Sequence, residues 1–196
     1  MTSILKVDRI QHSNSTTPSV GSLGVNIHSV DLPSGSVLQV QSDVRTSSTG
    51  IASSSWVDTG LEVSITPRST NSKFILAVSL TGSTGYFSFG IRLVRDGSPI
   101  TESLGNASGN KTQATMSHND YNVGSGDTTN SNQYQMHTLA GSFHDNTSAS
   151  DTTTPIVFKV QWYSYAAGAV NRSVEDADNS SRHRCTSSLV VYEFEK

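Results

Sequence analysis

One cysteine, Cys185, is all that this 196-residue chain holds, so no intrachain disulfide can form. Charge is scarce too. Lys, Arg, Asp and Glu make up 15% of the residues and leave a net charge of −3, which argues against a nucleic-acid partner. No run approaches the ~20 apolar residues that span a bilayer, so membrane insertion is not expected. A secretory signal is not expected either: Lys6, Asp8 and Arg9 interrupt the short apolar stretch of MTSILKVDRI. The expected site of synthesis is therefore a cytoplasm. The N-x-S/T triplets at Asn14, Asn106, Asn110, Asn146, Asn171 and Asn179 then follow from composition alone.

Catalytic signatures are also lacking. There is no G-x-S-x-G elbow, no H-E-x-x-H helix and no phosphate-binding glycine loop. Arg182, His183 and Arg184 precede Cys185, but a lone thiol beside a strand is the simpler reading. His118 with Asp120, and His144 with Asn146, read as polar loop residues rather than a metal clip. Glu175, Asp176 and Asp178 lack the glycine and distal glutamate of a Ca²⁺-binding EF-hand loop. Carboxylates are few and lie mostly in polar loops, a poor basis for the acid pair of a glycosidase. The chain is expected to be no enzyme, with no catalytic residues, no metal and no cofactor.

What the chain does have is Ser and Thr, roughly a quarter to a third of it, and strands. Phe74, Leu76, Val78 and Leu80 alternate with Ile75, Ala77, Ser79 and Thr81. Phe87, Phe89, Ile91 and Leu93 alternate with Ser88, Gly90 and Arg92, and Ile156, Phe158, Val160 and Trp162 with Val157, Lys159, Gln161 and Tyr163. Leu61, Val63 and Ile65 share one face, and GSVLQVQ and SSLVVYEFEK read as further strands. A period of two argues half-buried strands. Arg95-Asp96-Gly97-Ser98 reads as a hairpin turn, with Ile100 and Thr101 starting the return strand. No window has a helical period. About eight strands between Ser36 and Glu195 predict an all-β, antiparallel, jelly-roll-like sandwich.

Residues 1–35 read as a separate N-terminal segment and residues 36–196 as the sandwich. Positions 11–35 carry Pro18, Gly21, Gly24, Pro33 and Gly35 and read as an extended linker, reaching roughly 80 Å at ~3.3 Å per residue. Residues 103–135 and 145–154 are too polar to bury and read as loops. Tyr121 and Tyr134 lie among Asn, Ser and Gly, the mixture that recognition loops use. With Asp120 and His118 they are candidate receptor contacts, suited to a glycan whose ring stacks on tyrosine. The alternative is that these tyrosines fold back onto the sandwich edge.

Two groups lack a local partner. The strand-like start carries Ile4, Leu5, Val7 and Ile10, and such a segment can add to another protein's sheet edge. Several strands also carry apolar residues on both faces: Ile75 and Ala77 behind Phe74 and Leu76, and Val157, Tyr163 and Tyr165 behind Phe158 and Trp162. A symmetric copy or the chain's own loops would cover the second face.

The segments MTSILKVDRIQ, LPSGSVLQVQ, WVDTGLEVSITPRSTNSKFILAVSLTG and the terminal LVVYEFEK together resemble a family of tail-fibre and virion-appendage proteins of tailed bacteriophages, the type found in phages of marine and cyanobacterial hosts. The likeness touches both ends and the first half of the body. It implies a non-enzymatic structural protein of the virion, made in the host cytoplasm, with a homotrimeric sandwich head facing outward. It also implies that Ile4, Leu5, Val7 and Ile10 attach the chain to other virion proteins of the tail, collar or capsid. The head would then contribute to adsorption on a host surface receptor, a glycan by the loop chemistry above. The family fixes no receptor residues. Alternatives are a head-bound fibre or capsid decoration protein, and, in a different class, a free carbohydrate-binding module or glycanase.

Overall fold

The computed structural model describes residues 33–52, 54–85, 88–119, 134–165 and 167–195, and Ser34–Lys196 forms one compact unit. Ile4, Leu5, Val7, Ile10, Phe87, Asp120 and Tyr121 lie outside the described residues. No α-helix is present among the described residues, and two antiparallel sheets pack face to face. The strands are β1 (Val37–Arg45), β2 (Thr49–Ala52), β3 (Val57–Ile65), β4 (Lys73–Thr84), β5 (Ser88–Arg95) and β6 (Ser98–Pro99). A 3-10 turn over Thr101–Ser103 follows, then β7 (Met116–Asn119), β8 (His137–Asp145), β9 (Ile156–Ser164), β10 (Ala167–Val170) and β11 (Ser187–Phe194).

In the first sheet β4 is the longest strand. β8 pairs along one edge of it, while β11 and β10 share the other edge end to end, with β1 and β2 outside them. In the second sheet β9 separates β3 from β5, and β5 carries β6 and β7 on its far edge. Taking collinear segments as one row, chain order gives rows 1-8-3-6 in one sheet and 2-7-4-5 in the other. That is the two-Greek-key connectivity of a jelly roll.

The alternation read from the sequence sets which side chains meet between the sheets. Phe74, Leu76, Val78 and Leu80 of β4, Phe89, Ile91 and Leu93 of β5, Phe158, Val160 and Trp162 of β9 and Leu189 and Val191 of β11 are buried. Each large apolar side chain removed from water contributes about 1.5–3 kcal/mol before ordering costs. Trp162 stacks on Phe89 at 4.2 Å with 12° between the rings. Its indole lies over two glycines: a Cβ on Gly82 would stand 2.6 Å from it, and one on Gly168 2.9 Å.

Two expectations are corrected. Asp96 and Gly97 both take positive φ, at 49° and 81°, the geometry of a tight primed hairpin turn, but the return strand is Ser98–Pro99 and not Ile100–Thr101. Pro99 is opposite Val94, Ile100 N–H adds one more bond to the Leu93 carbonyl at 3.0 Å, and the chain then bends into the 3-10 turn. Part of the region read as the loop 103–135 is strand: β7 pairs antiparallel with Ser88–Ile91. Apart from Asp145, which ends β8, the segment 145–154 does lack strand. It is tied down where Arg95 Nη1 donates to Asp145 Oδ2 at 2.8 Å and to the Thr147 carbonyl at 2.7 Å.

Candidate functional site

The two outer faces of the sandwich differ in chemistry. On the second sheet, Arg92 Nε donates to Gln161 Oε1 at 2.8 Å and Gln161 Nε2 to Asp58 Oδ1 at 2.8 Å. Lys159 Nζ bridges Asp58 at 3.1 Å and Glu62 at 2.9 Å. The Gln161 amide, ahead of Lys159, holds the Asp58 carboxyl below its ordinary range, and burial pulls the Arg92 guanidinium below its own. This is a solvated, cross-bonded sheet face.

One step along that face lies a groove of about 830 Å³. Register explains its floor. Tyr163 is opposite Gly90, and Gly90 is opposite Ser117. Trp56 precedes Val57, the partner of Trp162, and its ring centroid is 5.5 Å from that of Tyr163. Aromatic, aromatic, glycine and serine thus follow one another across four rows. The guanidinium of Arg92 lies 4.6 Å from the Trp56 ring and holds it in place. Tyr165, 68% exposed, and Asn119 continue the lining.

The wall is the segment from Gly105 to Met116, and it is built rather than draped. Thr115 N–H donates to the Ile91 carbonyl at 2.8 Å, and Gln113 Nε2 to the Gly105 carbonyl at 2.6 Å. The Thr115 hydroxyl accepts from the Leu93 N–H at 3.2 Å. Gly90 permits this approach, since a Cβ there would lie 3.2 Å from the Ala114 Cβ. Asn106, Thr112, Ser117 and Lys111 present polar groups along the groove. Among the described residues no Asp or Glu lines it.

The outer face of the first sheet is of another kind. Three rows cross β1, β11, β4 and β8: Val40–Tyr192–Ile75–His144, Ser42–Val190–Ala77–Ser142 and Val44–Ser188–Ser79–Ala140. These twelve positions hold no Asp, Glu, Lys or Arg. Val40 is 47% and Val44 59% exposed. A shallow depression of about 410 Å³ lies at one end, lined in part by Val37, Ile75, Tyr192 and Phe194.

Of the receptor candidates, His118 sits in β7 with its ring 5.8 Å from Phe89 and stacked 3.5 Å from His137. Its Nε2 is buried without a hydrogen-bond partner. Tyr134 is half exposed, with the Arg182 guanidinium 4.4 Å from its ring centroid. Neither lines the groove. The groove residues Tyr163 and Tyr165 were legible as second-face aromatics. Trp56 was also within reach, because the inward alternation of Leu61, Val63 and Ile65 extends back through Thr59 and Val57 and leaves Trp56 facing outward. The wall had no such signal, since it is placed by bonds to strands distant in sequence.

Among the described residues no three His, Cys, Asp or Glu side chains gather as a metal site. Asp176 is engaged by Arg172 at 3.5 Å and by Arg184; the Arg184 hydrogen bond leads in holding its carboxyl below the ordinary range. Cys185 is a half-buried free thiol. No protein-family model matches the chain, and no curated protein matches it.

Proposed function

We propose that this chain is a non-catalytic structural appendage of a tailed-phage particle, attached through Ile4, Leu5, Val7 and Ile10, with a trimeric jelly-roll head that contributes to host-surface adsorption. The observation that carries the reading is the uncharged three-row patch on the outer face of the first sheet. A sandwich whose two outer faces both met water would have no reason to strip charge from one of them and expose Val37, Val40 and Val44 there. A face without charge sets no like charge against a neighbouring copy, and about a threefold axis each head would cover part of its neighbour's face in a head-to-tail contact. The resemblance of both chain ends to virion-appendage proteins supports the particle as the setting.

Light scattering on the intact protein tests the assembly: three 20.9 kDa chains give about 63 kDa. A mass near one chain removes the trimer. Deleting residues 1–10 is expected to leave a folded head that no longer joins particles, and normal incorporation of the truncated chain refutes the attachment role. Labelling on intact particles separates a tail or collar fibre from a head-bound fibre or capsid decoration protein.

A further inference from the structure

We infer that the groove between Trp56, Tyr163, Tyr165 and the Gly105–Met116 wall is a saccharide-binding site, one that accepts neutral or acidic sugars and rejects sugars bearing a free amine. It deepens the adsorption reading by giving it a surface and a ligand class, and it rests on that reading only for its biological purpose.

Four features of the groove select this ligand. Trp56 and Tyr163 stand side by side on the floor, with Tyr165 beyond them, so flat apolar surface is offered in a row rather than at a point. The C–H face of a pyranose fits such a surface, and aromatic rings supply large contact area at low entropic cost. Beside the rings are amides and hydroxyls from Asn106, Asn119, Thr112 and Ser117. These both donate and accept, as sugar hydroxyls require. The wall is already bonded to β5 through Thr115, so its ordering need not be met at binding. Among the described residues Lys111 is the one Lys or Arg in the lining and no carboxylate accompanies it, so an ammonium on the ligand meets a like charge there. A sugar carboxylate meets Lys111 instead.

The test uses the full chain on an array of neutral hexose, N-acetylhexosamine and uronic-acid oligosaccharides, with chitosan oligomers as the cationic class. Hits are then titrated by tryptophan fluorescence. The chain has two tryptophans and Trp162 is fully buried, so a signal change reports Trp56. We expect binding in the neutral or acidic classes, none to chitosan oligomers, and about tenfold or greater weakening in Tyr163→Ala and in Tyr165→Ala. Tyr165 is largely exposed, so its variant keeps the test valid should Tyr163→Ala fail to fold. Absence of binding in every class overturns the site, as does binding that both variants leave unchanged or that favours chitosan. Lost sugar binding with unchanged particle adsorption supports the site and overturns the adsorption reading.

Discussion

Trp162 shows how single residues fix the core. The indole fills a slot that exists only because positions 82 and 168 have no Cβ, and it is closed above by Phe89. Gly82→Ala is expected to cost about 1–3 kcal/mol, read as a lower urea midpoint, because the added methyl has backbone oxygen of Ala169 at 2.9 Å as well as the ring to displace. Asn171 is another such residue. It sits at φ 61°, a conformation asparagine tolerates, is wholly buried, and donates from Nδ2 to the carbonyls of Arg45 and Ser47 while Oδ1 accepts from Ser187. That side chain is part of the interior, so this N-x-S triplet is no glycan acceptor in the folded protein. Asp151 gives a pH effect. Backbone N–H groups of Thr154 and Thr153 hold its carboxyl down at about 2 against 3.8 for the free group. A depressed carboxylate contributes stability above pH 3.8 that is lost as pH falls toward 2. Asp151→Asn is therefore expected to lower stability on the neutral plateau, where the wild-type carboxylate is ionised, and to flatten the acid limb of stability against pH in that window.

At the scale of elements, one buried ion pair links the end of β5 to the end of β8. Arg95 and Asp145 are 2.8 Å apart with side-chain exposures of 14% and 1%, and the guanidinium also lies near the rings of Phe74 and Phe158. Removing either partner leaves a charge buried without its counterpart. Arg95→Met or Asp145→Ala alone is expected to cost about 3–5 kcal/mol, and the double variant less than the sum. A double-mutant cycle in urea measures this. The loop between β8 and β9 should also become a preferred protease site in both single variants, since Arg95 is bonded to its backbone at Thr147 and Ser148.

For the whole molecule, the contrast between the two outer faces decides behaviour. Replacing Val190, in the middle row of the uncharged face, by Glu is expected to shift the measured mass toward one chain while circular dichroism keeps its strand signal. The same substitution on the charged sheet, Ser64→Glu, should leave the mass unchanged, because that face already carries Asp58, Glu62 and Lys159 in water. The saccharide groove lies on this second sheet, away from the face proposed to meet its copies, so charge placed at Val190 should leave sugar affinity per chain intact while reducing avidity on a surface.

Local pattern alone determined the all-β character and the strands β1, β3, β4, β5, β9 and β11, but not β2, β8 or β10. In β9, in β11 and from Phe74 to Leu80 of β4 burial alternates strictly with a period of two, whereas the end of β4 and Gly90 and Val94 of β5 are buried on both faces. The Asp96-Gly97 turn was equally legible, because few residues accept its geometry. Tertiary structure decided the rest. β7 reads as loop because Ser117, His118 and Asn119 are polar, and it becomes strand by bonding to β5, an element some thirty residues earlier. The groove depends on the same long-range register, which sets Trp56, Tyr163 and Gly90 in one line, and on a wall tied to Ile91 and Leu93. Alternation assigns a side chain to a face. It does not say which strands will stand beside it, and a site assembled across four rows exists only once that order is chosen.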